Sequence, residues 1–178
     1  MTEATDVIRR EHVSIANMIS VLQEMGGAFA LKHTLSTHDM LDTVHFFLRF
    51  GDTMHHAKEE QILFPALARV DADSQPLLDN LLAEHQHARV LLGKLEASFA
   101  RQDWAAYFVI GGEHCQLLHE HLLRENSELL PLIDRLFSAE EQSRLALALV
   151  GVQEQFPAEE VTHWLQRQQE LTRIYPRR

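Results

Sequence analysis

Apolar side chains recur every three to four residues along most of this chain, which is the spacing of one face of an α-helix. Glycine, proline and capping residues interrupt the pattern, and Gly26 with Gly27 is expected to end the first helix. The pattern predicts four long helices over residues 5–25, 36–70, 76–100 and 104–136, then two shorter ones that begin at Ser138 and Pro157. Since no strand-like alternation appears, we expect an all-α fold. A four-helix bundle covers residues 5–136, and a C-terminal two-helix appendage covers residues 137–178.

The second and fourth predicted helices carry the same motif, His-x3-Glu-x5-Pro. Its two copies align without a gap, as His55, Glu59 and Pro65 in one helix and His121, Glu125 and Pro131 in the other. The first and third helices share a Glu-His pair, at residues 11–12 and 84–85. The chain is therefore interpreted as two repeated helical hairpins, each with one lone histidine and one His-x3-Glu pair.

A second His-x3-Glu frame, His56 with Glu60, overlaps the first one in the second helix. Residues three and four apart share a helix face. The face through His55 is otherwise apolar or small, whereas the face through His56 is polar for four turns. This pattern predicts that His55 and Glu59 point inward, and that His45, His56 and Glu60 face solvent. The alternative for His56 and Glu60 is that they orient a metal ligand by hydrogen bonding.

Six residues are thereby predicted to point into the bundle: His12, His55, Glu59, His85, His121 and Glu125. Burying two carboxylates among apolar side chains is very unfavourable unless they are paired or bind a metal. Two divalent ions, bridged by the two carboxylates and each bound by two imidazoles, satisfy all six groups. Imidazole and carboxylate ligands suit iron, with manganese or zinc as possible substitutes. The alternative is a metal-free bundle whose inward histidines form ordinary hydrogen bonds.

Two other kinds of metal site fit this sequence less well. A catalytic zinc ion has three protein ligands, and the His-Glu-His at residues 119–121 is not the His-Glu-x-x-His motif. A ferritin-like di-iron site needs Glu-x-x-His on two of its helices. The copies here, at residues 84–87 and 160–163, lie on a polar helix face and on the short last helix. We therefore regard a catalytic zinc site as less favoured, and we reject the ferritin-like site.

Four segments of the chain resemble, in order, the helix signatures of the hemerythrin family, in its HHE cation-binding branch. They are "EHVSI", "FLRFGDTMHHAKEEQILFPAL", "EHQHARVLL" and "HLLRENSELLPLI", and the resemblance covers roughly residues 5 to 136. It implies an up-down-up-down bundle around a non-haem di-iron centre with an oxo or hydroxo bridge. The ligand positions of the family match His12, His55, Glu59, His85, His121 and Glu125.

The sequence departs from the oxygen-carrying members of that family at one position. They have two histidines one turn apart on the third helix, whereas the residue four after His85 is Arg89. His87 is on the wrong face, and His114 lies two turns before His121, too far to bind the same ion. A site of four histidines and two glutamates resembles the members that repair iron centres or respond to nitrosative stress. We expect a protein that reacts with O2, NO or peroxide, with a non-enzymatic iron or O2 binding or sensing module as the alternative.

Composition and charge limit the binding partners and the cellular location expected for this protein. The net charge is −10, and no basic stretch precedes the terminal "RIYPRR", which argues against nucleic acid. No apolar run reaches the length of a membrane span, and no signal-peptide core is evident at the start. The single cysteine, Cys115, cannot form an internal disulfide, so a cytoplasmic location is expected. Cys115 itself is predicted to be a buried, inert thiol.

The last two helices and three charged residues have more than one interpretation. The apolar "LALALVGV" at residues 145–152 caps the bundle or forms a homodimer with a second copy, with capping favoured. Glu11 and Glu84 precede histidines, and they either orient ligands or are ordinary exposed acids. Three roles are open for Arg89: it pairs with a bridging carboxylate, it controls access to the pocket, or it packs along the helix edge.

Overall fold

The computed structural model describes residues 3–177, which form six helices and no β-strand. The four long helices are α1 (Ala4–Ala30), α2 (residues 37–70), α3 (Gln75–Ala100) and α4 (residues 104–136). Two shorter helices follow, α5 (Ala139–Gln153) and α6 (Ala158–Ile174). The predicted all-α bundle with extra C-terminal helices is confirmed. Within this described part of the chain, no helix combines the length and apolarity needed to cross a membrane.

Side-chain caps begin three of the helices. The Ser36 side chain accepts a hydrogen bond from the Asp39 backbone N–H, and Asp103 does the same for Ala106. Ser138 and Glu141 form the reciprocal capping box that their spacing predicts. These contacts satisfy backbone donors that a helix start otherwise leaves unpaired.

The prediction that Gly26 and Gly27 end α1 is wrong, because the helix continues to Ala30. The last turn places Phe29 in a stacked contact with Phe108 of α4, with 4.6 Å between ring centres. Each glycine costs a helix only about 1 kcal/mol relative to alanine, which aromatic packing of this kind can offset. The left-handed residue that follows the helix is Lys32, with φ of 61°.

Two of the long helices contain π-helical turns. α2 is α-helical over Thr37–Phe46, π-helical over Phe47–His56 and Glu59–Leu63, and α-helical again over Phe64–Val70. α4 is α-helical over Trp104–Arg124 and Leu130–Leu136, with π-helical Glu125–Leu129 between them. A π turn closes its hydrogen bonds over five residues instead of four, so it changes which side chains share a face. Each of the three π-helical stretches contains a residue of the predicted metal site: His55, Glu59 or Glu125.

The apolar core is split into two clusters, and the predicted ligands lie between them. One cluster includes Ile15, Ala88 and Leu118, and the other includes Ile8 and Leu81. His12 therefore lies between Ile8 and Ile15 along α1, and His85 lies between Leu81 and Ala88 along α3. The site occupies a buried polar layer across the middle of the bundle.

The appendage packs on the bundle. α5 contacts α1 and the second π-helical stretch of α2, and it buries Ala146, Leu149 and Val152. α6 contacts α1 and α2, where the guanidinium group of Arg167 donates hydrogen bonds to Asp39 and Asp42. The homodimer that these helices also allow stays a prediction.

Candidate metal centre

One residue or one pair from each long helix reaches the buried polar layer. All six side chains predicted to point inward are between 0% and 4% exposed: His12 from α1, His55 and Glu59 from α2, His85 from α3, and His121 and Glu125 from α4. The structure thus brings together every residue that the repeat singles out. Their atoms form two groups that share the carboxylates.

The first group contains His12, His55 and one oxygen from each glutamate. Glu59 Oε1 lies 3.5 Å from His55 Nε2 and 3.8 Å from His12 Nε2. Glu125 Oε2 lies 3.2 Å from His12 Nε2. One ligand atom from each of these four residues lies within 4.8 Å of the others.

The second group contains His85, His121 and the other oxygen of each glutamate. Glu59 Oε2 lies 3.5 Å from His85 Nε2, and Glu125 Oε1 lies 3.2 Å from His121 Nε2. The ligand atoms of these four residues also lie within 4.8 Å of one another. Each carboxylate therefore spans both groups, which is the arrangement needed to bridge two metal ions.

The outer nitrogen of each imidazole has a side-chain oxygen as its partner. Nδ1 lies 3.0 Å from Glu11 in His55, 2.7 Å from Glu60 in His85, 2.9 Å from Glu84 in His121 and 3.0 Å from Asn126 in His12. An ionised carboxylate or an amide oxygen only accepts hydrogen bonds, so Nδ1–H donates and Nε2 is the nitrogen that faces the cluster. Histidines that bind metals are held in this way.

The inner atoms have no such partners. His12 Nε2, His55 Nε2 and all four carboxylate oxygens of Glu59 and Glu125 are buried without a hydrogen bond. His85 Nε2 and His121 Nε2 face each other at 3.1 Å. Two lone pairs at this distance repel each other unless a cation or proton lies between them. Buried polar atoms without partners are costly, and bound metal ions satisfy all of these atoms at once.

Electrostatics within the metal-free cluster supports the same conclusion. Burial opposes a charge on His12, but the nearby Glu125 and Glu59 carboxylates outweigh it and raise the pKa of His12 to about 10. Burial likewise opposes a charge on His121, and Glu125 raises its pKa. Burial favours the neutral acid in Glu125, but His121 and His12 hold its pKa well below the ordinary value. The carboxylates therefore need positive charge beside them, which protons or metal ions supply.

A ring of charges surrounds the outer partners. Buried Lys58 pairs with Glu11 and also donates to Gln153 of α5 at 2.8 Å, and Arg124 pairs with Glu84. The sequence analysis missed Lys58, Arg124 and Asn126. The repeat itself contained the signal, because the 66-residue shift that aligns the ligands places Lys58 over Arg124 and Glu60 over Asn126.

Glu11, Glu84 and Arg89 now have specific contacts. The two glutamates are not free exposed acids, since each orients a histidine from a different helix. Arg89 donates to Asp52 at 2.6 Å and to Glu60 at 2.7 Å, so it pairs with outer acids and not with the carboxylates that span the two groups.

The prediction that His56 faces solvent is wrong. The side chain is 4% exposed and stacks on His85, with 3.8 Å between ring centres. It lies at the end of π-helical Phe47–His56, where more residues per turn bring His55 and His56 closer in angle, so that both face inward. Burial and the neighbouring histidines hold the pKa of His56 well below the ordinary value. Glu60 is partly exposed but orients His85, which is the alternative proposed for it.

A small cavity borders the cluster. Its volume is about 10 Å³, the room that one water-sized molecule needs. His55, His56, His114 and His121 line it together with Asp52, Arg89 and apolar side chains. His114 is buried and its Nδ1 has no hydrogen-bond partner, so this histidine borders the cavity without joining the groups that share the carboxylates.

Comparison with known proteins yields one family. The sequence profile of the hemerythrin HHE cation-binding domain matches residues 3–133, which include all six predicted ligands. No curated protein and no solved structure matches the chain.

Proposed function

This chain belongs to the hemerythrin HHE cation-binding domain family, and we propose that its buried cluster holds two iron ions that bind or react with O2, NO or peroxide. The single observation that supports this most strongly is the convergence of unpartnered, fully buried nitrogen and oxygen atoms on two shared groups. The mixed imidazole and carboxylate donor set suits iron, with manganese or zinc as substitutes.

We assign a role to each residue of the cluster. His12 and His55 would hold one ion, His85 and His121 would hold the other, and Glu59 and Glu125 would contribute to both. Glu11, Glu60, Glu84 and Asn126 fix the imidazole rings by accepting hydrogen bonds from Nδ1. When bound as Fe(II), the two ions would supply electrons to a small oxidant, and Glu59 and Glu125 would hold them in place.

The surroundings of the cluster support a small ligand. The adjoining cavity has room for a molecule of about the size of water, and most of its other walls are apolar side chains such as Phe47 and Leu118. A diatomic molecule or peroxide fits this space, whereas an organic substrate does not. Burial of the whole layer also excludes bulk water, which strengthens electrostatic interactions inside it.

The physiological role that fits a redox-active centre is defence against oxidative or nitrosative stress, or repair of iron centres. The test begins with anaerobic loading of the full chain with ferrous iron, and two ions per chain are expected. Air is then admitted while the optical spectrum is recorded. A rapid change that persists after oxygen is removed supports redox chemistry.

Two other results of this experiment would not support redox chemistry at a di-iron centre. An absorption band that appears with oxygen and disappears when oxygen is removed indicates a reversible binding or sensing module. Fewer than two ions per chain contradicts the di-iron proposal.

Two further proposals concern the setting of the protein. We keep the cytoplasmic location that the single cysteine predicts. We also propose a homodimer through α5, where Leu147 is 73% exposed and Val150 is 43% exposed. A molar mass of about 41 kDa, twice the 20.5 kDa of one chain, supports it in light scattering, and a single-chain mass contradicts it.

A further inference from the structure

The two groups of the centre are related by the internal repeat, but three neighbouring residues break that relation. Next to His85, His56 Nδ1 lies 3.2 Å from Asp52 Oδ1, and Asp52 in turn accepts a hydrogen bond from Arg89 at 2.6 Å. The equivalent residues near the other group are the apolar Leu122, Leu118 and Ala16. One half of the centre therefore has an extra imidazole with its own supporting charges, and the other half has none.

The position of His56 suits a metal ligand. A ligand nitrogen from each of His56, His85 and His121 lies within 4.8 Å of the other two. The ring of His56 is tilted by only 14° from that of His85, and the ring centres lie 3.8 Å apart, so the two imidazoles are stacked face to face. Both rings are fixed on rigid helices and are almost completely buried.

The hydrogen bonding of His56 matches that of the predicted ligands. In each of those histidines, Nδ1–H donates to a side-chain oxygen, which leaves Nε2 with its lone pair. Asp52 plays this part for His56 and is itself held by Arg89. His114, the other buried histidine at the cavity, has no partner on Nδ1. The support from Asp52 and Arg89 therefore distinguishes His56 from His114.

We propose that His56 is a seventh protein ligand, which binds through Nε2 to the metal ion held by His85 and His121. This inference depends on the metal centre proposed above and adds to it. The ion at His85 and His121 then has three imidazoles, and the ion at His12 and His55 has two. Coordination positions open to an outside ligand would then be concentrated on the ion at His12 and His55 instead of being shared equally between the two ions.

The rival explanation is that His56 only supports His85 as a flat stacking surface. His56→Phe separates these possibilities, because phenylalanine keeps a stacking ring and has no nitrogen. We expect it to weaken binding of one Fe(II) ion by more than the roughly 100-fold that loss of an outer hydrogen-bond partner can cost. His56→Ala should also weaken binding of the ion at His85 and His121. Added imidazole should restore the binding of that ion in His56→Ala. His87→Ala, which removes an exposed histidine of α3, is the matched control and should bind as the wild type does.

Anaerobic Fe(II) titration against a competing chelator gives these affinities, and circular dichroism of the metal-free variants checks their folding. If His56→Phe binds both ions with wild-type affinity, the proposal is wrong and His56 is a stacking residue.

A second measurement needs no variant. In the wild-type chain loaded with Zn(II), nitrogen-15 NMR distinguishes metal-bound imidazole nitrogens from free ones. The proposal predicts five bound imidazoles among the 12 histidines, with His56 bound through Nε2, and a count of four without His56 overturns it. If the wild type binds neither Fe(II) nor Zn(II), the proposed function itself fails, which is a distinguishable result.

Discussion

Lys58 is the buried cation whose removal should cost the most stability. Its side chain is fully buried and pairs with Glu11, which is 8% exposed. Lys58→Met leaves the Glu11 carboxylate without the buried ammonium group that pairs with it. Breaking a buried ion pair from one side costs about 3–5 kcal/mol, and we expect the lower end because His55 still donates a hydrogen bond to Glu11. A loss of about 3 kcal/mol lowers the melting temperature of a chain of this size by roughly 6–12 °C.

The repeat provides the control for this experiment. Arg124 occupies the equivalent position and pairs with Glu84, but its side chain is 33% exposed. Arg124→Met should therefore cost no more than about 1 kcal/mol. The measurement is thermal unfolding of the metal-free protein for both variants and for Lys58→Met combined with Glu11→Gln.

The double variant should recover most of the loss, because no charge is then left unpaired. Equal costs at Lys58 and Arg124, or a double variant less stable than Lys58→Met alone, would refute this reasoning.

Three further outcomes can be measured. Glu84→Gln should weaken metal binding by about 10–100-fold in a chelator competition, since Glu84 orients His121; unchanged affinity contradicts that role. Metal binding should release about one proton from His12 at pH 7.5, because the pKa of His12 is raised to about 10 in the metal-free cluster and the ion needs the lone pair. Affinity should therefore rise with pH until about pH 10, and calorimetry in buffers of different ionisation enthalpy that shows no proton release contradicts this. Ser138→Ala should cost about 1 kcal/mol in thermal unfolding, because it removes the cap shared with Glu141; no change means that the capping box does not stabilise α5.

Many residues of the candidate centre could be predicted because their positions follow from spacing along a single helix. A His-x3-Glu pair on a helix points to one side, and a gapless second copy makes chance agreement improbable. The same repeat contained more than the ligands, since Glu11 with Glu84 and Lys58 with Arg124 also occupy equivalent positions. Their contacts were missed because each one joins two different helices, and spacing along one helix does not reveal a partner on another.

The sequence by itself determined the helices, the caps at Ser36 and Ser138, and the six side chains that face the buried layer. These depend on periodicity and on hydrogen bonds within a few residues. Only the tertiary structure decided where α1 ends and where His56 points, because packing of Phe29 on Phe108 outweighs the low helix propensity of glycine. In the same way, the π-helical turns of α2 bring His56 inward, where it stacks on His85 of α3. Both outcomes are set by contacts between helices, which the hydrophobic pattern of a single helix does not contain.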